Sequence, residues 1–424
     1  MKFRKVSALL LAGAMCAATV VGCGKTSSTS GTSSNDATKA AEDEEITATI
    51  TVWGPAEDQS IDNGEWLQNM CKKFNDEHPK WNLTFKYGTC SEKDAGSTVS
   101  ADPSASADVY MYANDQLQAL IDAGAISKLG GSALETVKEN NSEAILKTVS
   151  IGDDVYGVPF TGNTWFLFYN KDIFTADDVK NLDTMLSKGK VSFKLTDSWY
   201  IGGFYIGNGC TVFGADGTDE SAGIDLTGDK ATDVTKYLVD LAANPNFVND
   251  ADSAGITGFN DGTVGAFFSG TWDMSNIKLD KSKVGVVAAP TYTLNGKENQ
   301  MTAFAGSKAI GVNPNCKYPQ VAVALALYLG SDDAQISRYE ARGIIPCNIG
   351  AVSNDKVAAD EMAVAQNDTM NNKSVMQPTC KGMSNWWTPA ENMGKSIIAG
   401  ETTKDNAADK TAEFNEGANN GIVK

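Results

Sequence analysis

The 424-residue sequence holds a single histidine, His78, followed by Pro79. That scarcity argues against histidine-based triads, HExxH zinc sites and imidazole acid–base catalysis. A lone histidine beside proline reads as a solvent-facing residue in a helix-to-strand turn. Arginine is nearly as scarce: Arg4, Arg338 and Arg342 are the full set. So few arginines predict no guanidinium cluster for phosphate or carboxylate. No C-x-x-C pair occurs among the eight cysteines, which argues against zinc knuckles and thioredoxin chemistry. The acidic stretch "GADGTDESAGIDLTGDKATD" lacks the D-x-D-x-D-G spacing of a calcium loop and reads as a solvated insertion. No metal or cofactor is called for. Net positive charge is missing too. The formal charge is −18, a surface that repels phosphate backbones and argues against a nucleic-acid partner.

What remains is ordinary for a globular chain, 42 % hydrophobic and 21 % charged, with length for about two to three domains. The N-terminus stands apart. Lys2, Arg4 and Lys5 precede an apolar run from Val6 to Val21, about 16 residues and short for a membrane span. It ends in "TVVGC" and resembles a bacterial lipoprotein signal, with Gly22 as the small residue before Cys23. The resemblance implies a signal peptide over 1–22, cleavage before Cys23 and lipidation of its sulfur. Residues 23–46 follow as a Ser/Thr/Gly/Asp/Glu-rich stretch without aromatics, expected to be a disordered tether. Removing the three leader cations takes the charge from −18 to −21. Export permits disulfides among the remaining cysteines without requiring them.

After the tether, "ITATITVWG" alternates as a half-buried strand. "DNGEWLQNMCKKFNDEHP" reads as a helix, with Asp62 or Asn63 as cap and Trp66, Met70 and Phe74 on one stripe beside Leu67 and Cys71. "WNLTFKYGT" and "ADVYMYAND" read as further strands, and "QLQALIDAG" as a short helix closed by Gly124. This strand–helix order predicts a parallel, doubly wound α/β sheet. Ligands of such sheets sit beyond the carboxyl ends of the strands, where Trp53 and the segment from Tyr112 to Asp115 fall. "TWFLFYNKD" reads as an apolar strand opening a second domain that runs to about Pro290. "MTAFAGSKAIGV" reads as a strand returning to the first domain, and "QVAVALALYLGS" as a helix.

The segments "TVWG", "ADVYMYANDQLQALIDAGAISKL", "VYGVPF…LFYNKDIF", "FNDGTVGAFFSGTWDMSNI" and "GIIPCNIGAV" occur in this order from about Ile46 to the C-terminus. In this the chain resembles extracellular solute-binding proteins of carbohydrate ABC transporters, most of all the maltose/maltodextrin-binding branch. The resemblance implies a periplasmic-binding-protein-like α/β fold: two doubly wound lobes joined by a hinge. Lobe one would be 47–161 plus 305–343, and lobe two 164–303 plus 348–424. It implies a monomeric, extracytoplasmic receptor, lipid-anchored to the bacterial cell membrane, that serves ABC permease subunits.

A neutral oligosaccharide presents C–H faces that stack on aromatic planes and hydroxyls that need short polar partners. The resemblance places such groups at Tyr112, Asp115, Asn163, Trp199, Trp272 and Trp387, with Trp386 beside the last, and Trp53 joins them from its place at a strand end. Of the adjacent indoles in "NWW", one would face the cleft and the other pack behind it. Trp165 is an extra aromatic near the hinge, able to enlarge the platform. Asn163 stands where maltose binders carry a cleft glutamate. Gln116 stands where an arginine often follows the aspartate, and a lysine near the first strand has no clear counterpart among Glu57, Asp58 and Gln59. The same resemblance brings the loops of Cys347 and Cys380 together and implies a disulfide between them. The expected function is capture of maltodextrin or another α-glucan oligosaccharide, without catalysis. The alternatives are the same receptor for a different oligosaccharide, or a surface glycosidase using paired carboxylates.

Overall fold

A computed structural model describes residues 44–215 and 217–421. The expected signal peptide, Cys23 and nearly all of the expected tether lie outside these residues. Among the described residues no helix is long and apolar enough to cross a membrane.

Two sheets organise the chain. In the first the strand order is Ser374–Met376, Ala303–Val312, Val109–Ala113, Ile46–Gly54 and Trp81–Thr89, with Val158–Asn163 also paired to Ala303–Val312. The alternation in Ile46–Gly54 does what the sequence implies: Ile46, Ala48, Ile50 and Val52 are buried, while Thr47 and Thr49 are exposed. In the second sheet the order is Phe247–Asn249, Val191–Phe193, Ala266–Ser269, Phe166–Asn170 and Val284–Val287. Its three inner strands are buried on both faces, so they read as apolar runs. Leu167 and Tyr169 enter one core, and Phe166 and Phe168 enter the other with Phe259 and Phe267.

One side of each sheet is parallel, as expected. Ile46–Gly54 runs parallel to both neighbours, as does Val191–Phe193. The sheets are nonetheless mixed. Lys308–Val312 lies antiparallel to Val109–Ala113, and Phe166–Asn170 antiparallel to Ala266–Ser269. These antiparallel strands enter from the other lobe, free of the helical crossover that forces a parallel return.

The crossing segments are explicit. Ala303–Ala305 pair with Ser374–Met376 at the sheet's edge, and Lys308–Val312 of the same strand pair with Val109–Ala113. Beside it, Val158–Asn163 runs out of the first sheet towards Phe166 of the second. The Thr161 hydroxyl donates to the Ile345 carbonyl at 2.6 Å and the Thr164 hydroxyl to the Phe304 carbonyl at 3.0 Å. These buried bonds tie the crossing strands to each other and to the segment after Gly343.

Several local expectations change. Helix Trp66–Glu77 buries the expected stripe, but Asp62 and Asn63 form a separate turn. The helix starts at Glu65, at φ 48° with no side-chain cap. His78 is in the helix-to-strand turn but is half-buried. Its ring stacks on Trp81 at 4.3 Å and its Nδ1 lies 2.6 Å from the Phe74 carbonyl. Cys347 and Cys380 are both free thiols. Cys347 is buried in the hinge with Sγ 3.8 Å from Asn141 Oδ1, whereas Cys380 packs on the second lobe's core. The expected disulfide is absent.

Candidate functional site

The carboxyl ends of the second sheet carry two neighbouring indoles. Trp272 lies in the turn after strand Ala266–Ser269. Its ring folds back over Gly270, where a Cβ would come within 2.2 Å of it; the sequence "SGTW" needs its glycine for this approach. Trp199 opens helix Ser198–Gly207, where Asp197 caps by accepting from the Trp199 amide at 2.8 Å. The Trp199 indole N–H donates to Gln377 Oε1 at 2.7 Å, which fixes the ring's edge. The Trp199 and Trp272 rings are 6.1 Å apart and tilted by 50°. Both are half-buried. Together they offer a stepped aromatic surface.

Across from them, the first lobe contributes polar groups. Asp115 lies in the turn Asn114–Gln116, beyond strand Val109–Ala113. It makes no cap for the following helix Leu117–Asp122. The residue is exposed, yet protein flanks its carboxyl closely. The resulting desolvation raises its carboxyl above the usual range, opposed by a 2.9 Å hydrogen bond from Gln116 and by the charge of Lys308. Asn163, half-buried at the end of its strand, lines a small cavity with Glu57, Thr271, Trp272 and Lys308. This cavity holds about 50 Å³, room for a water or two. The lobes are close here, with Lys308 Nζ 5.9 Å from the centre of the Trp272 ring.

The cavity also borders an ionic cluster that arginine scarcity argued against. Asp58 is fully buried and accepts from Arg338 Nε at 3.0 Å and Nη2 at 2.9 Å, and from Arg342. Burial alone would raise its carboxyl, but the two guanidiniums outweigh that and hold it below the ordinary value. Arg338 also lies 3.5 Å from Glu92 and 4.2 Å over the Phe160 ring. Two of the chain's three arginines thus meet one carboxylate. Their i, i+4 spacing on helix Asp332–Arg342 was the legible signal.

Three expected aromatics are in the core. Tyr112 is fully buried among first-lobe residues because its strand is covered on both faces; burial pushes its phenol far up. Trp165 is fully buried, stacked on Tyr200 at 5.6 Å and edge-on to Phe193 and Phe268. It extends no platform. Trp386 is fully buried as well, donating to the Ser198 carbonyl at 2.9 Å and packing on Phe304 and Phe414. Trp387, one residue on in helix Ser384–Ile398, falls on the next stripe and stays half-buried at the core's edge. Trp53 is half-buried with its indole over Gly88, where a Cβ would meet it at 2.4 Å. Its neighbours Pro55 and Glu57, rather than the indole, line the cavity. Sequence reasoning missed Gln377, Glu92 and Lys308. For Lys308 a signal existed, since it is the one charged residue in strand Ala303–Val312.

The bacterial extracellular solute-binding protein family model matches residues 69–365. The chain belongs to that family. Two relatives from Bacillus subtilis (strain 168) match over most of their length. A galactooligosaccharide-binding protein is 24 % identical over 73 % of this solute-binding protein and 76 % of its own chain. A maltodextrin-binding protein is 27 % identical over 75 % and 79 %. A solved protein described as being with acarbose is 50 % identical, with a TM-score of 0.86 over 89 % of this chain and 100 % of that one. The unliganded maltodextrin-binding protein of L. casei BL23, 24 % identical, gives a TM-score of 0.79 over 88 % and 99 % and supports the two-lobed fold. The named relatives are binding proteins rather than enzymes.

Proposed function

We propose that this solute-binding protein is a lipid-anchored, extracytoplasmic receptor of an ABC importer, and that it takes maltodextrin-type α-glucans into the cleft between its lobes. The observation that carries the sugar is the pair of half-buried indoles, Trp199, edge-fixed by Gln377, and Trp272, which lines a cavity with Asn163 and Lys308. Flat apolar rings facing short polar side chains suit a pyranose, whose faces are C–H and whose rim is hydroxyl. In this reading Trp199, Trp272 and Trp387 stack sugar rings, while Asp115 and Asn163 pair with hydroxyls. Trp53 flanks the site. Its 50 %-identical neighbour with acarbose, an analogue of an α-linked glucan, supports the same class. The lobes divide at 161–164, 303–305 and 343–348, so rotation about these crossings admits and encloses the ligand. Anchoring rests on the sequence around Cys23, and permease partnership on the resemblance to ABC transport receptors.

Calorimetric titration of the soluble domain with maltotriose tests this reading. It predicts saturable heat at one site. No heat with maltotriose or longer glucans would overturn it. A second arm uses galactooligosaccharides, because one relative carries that specificity in its name; heat there and not with glucans would favour the alternative cargo. Release of reducing sugar from starch by the pure protein would instead point to a glycosidase.

A further inference from the structure

We infer that Lys308 is a ligand-contacting residue of the cleft, its ammonium donating to hydroxyls of the sugar that stacks on Trp272. The inference rests on the glucan reading above and adds a specificity-determining group to that site.

Lys308 occupies an expensive position. It is the only charged residue in strand Ala303–Val312, nine of whose ten residues are buried. That strand crosses between lobes, so a side chain leaving it emerges at their junction. Successive residues point to opposite faces. The Ser307 hydroxyl meets Thr148 on one face. Lys308, on the other, reaches the cavity shared with Asn163, Thr271 and Trp272.

Its partners do not explain its presence as a structural ion pair. Nζ lies 3.4 Å from Glu92 Oε1, and the Lys308 side chain keeps 22 % exposure against 8 % for Glu92. Glu92 already faces Arg338 at 3.5 Å, so the buried carboxylate keeps a countercharge without Lys308. An ammonium carries three donors. One directed at Glu92 leaves two for the cleft. Nζ lies over the Trp272 ring, 5.9 Å from its centre, which puts those donors above the aromatic face. A pyranose seated against Trp272 would present hydroxyls to Nζ. Charged donors make the stronger hydrogen bonds to neutral acceptors, so this contact reads hydroxyl position as well as adding affinity.

The test is calorimetric titration of wild type, Lys308→Met and Lys308→Arg with maltotriose and with its monodeoxy analogues, alongside chemical denaturation. Lys308→Met is expected to lose about 10- to 100-fold in affinity with an unchanged unfolding midpoint, and Lys308→Arg to recover part of the loss. At least one deoxy analogue should bind the wild type more weakly than maltotriose does, yet bind Lys308→Met as well as maltotriose does. If wild type binds maltotriose and Lys308→Met binds it within twofold, the inference is wrong and the glucan reading stands. Equal penalties for every deoxy analogue in wild type and Lys308→Met would also overturn it. If wild type takes no maltotriose, the glucan reading falls, and this inference with it.

Discussion

Removing the Trp272 ring probes the aromatic surface most sharply. Trp272 is half-buried and belongs to none of the hydrophobic cores, so part of its ring is open to a ligand. A pyranose covering that face hides on the order of 60 Å² of indole and a similar apolar area of sugar, worth about 3 kcal/mol at ~25 cal/mol per Å². Water retained around the truncated side chain and imperfect stacking reduce this to about 1.5–3 kcal/mol, or roughly a 10- to 150-fold rise in Kd. Trp272→Ala should show that rise by calorimetry with maltotriose. Its unfolding free energy should change by less than about 1 kcal/mol, as for a residue outside a core. Because the Trp199 ring is only 6.1 Å away, the double variant Trp199→Ala/Trp272→Ala should depart from additivity. Affinity within twofold of wild type, or a loss that tracks loss of fold, would refute the reasoning.

Other consequences follow from named contacts. Asp58→Asn strands Arg338 and Arg342 beside a neutral amide and should cost about 3–5 kcal/mol of stability by urea denaturation. Because the folded Asp58 carboxyl is held below the ordinary aspartate value, its stabilisation is complete above that value. It is lost as pH falls through the folded value; acid unfolding of wild type should show this slope and Asp58→Asn should lack it. Asp115 shifts the other way, above the ordinary aspartate value, because burial desolvates it. Glucan affinity measured against pH should therefore begin to fall at a higher pH than an ordinary carboxyl gives, and Asp115→Asn should flatten the profile. Trp165→Ala should cost about 3–5 kcal/mol of stability, since the ring is fully buried. Alkylation of the unreduced, denatured protein should modify both Cys347 and Cys380.

Much of the fold was legible because it rests on periodicity. Alternation located the strand Ile46–Gly54, the 3.6-residue stripe located helix Trp66–Glu77, and the crossing strand was readable in "MTAFAGSKAIGV". The adjacent indoles part as a helix requires of neighbours, which fall on different stripes: Trp386 faces the core, as expected of one of the pair, and Trp387 lies at its edge. What sequence could not resolve was which strand-end residues turn towards the cleft. Tyr112 stands one residue before its strand's end, but that strand is buried on both faces, so neither direction leads to solvent. Trp165 is adjacent to the hinge and yet points at Tyr200. Lys308 and the Asp58–Arg338–Arg342 cluster depend on contacts between segments about 215 to 285 residues apart. No local pattern encodes such pairing, although a lone lysine in an apolar strand flags a functional position.

The central claim is that a carbohydrate lies against the Trp199–Trp272 surface, between two lobes that hold it without cleaving it. A crystal structure of the protein with maltotetraose tests this most directly. The predicted result is an intact glucan in the interlobe cleft, with pyranose rings on Trp199, Trp272 and Trp387 and hydroxyls on Asp115 and Asn163. A glucan bound elsewhere, or a cleaved one in the cleft, would contradict it.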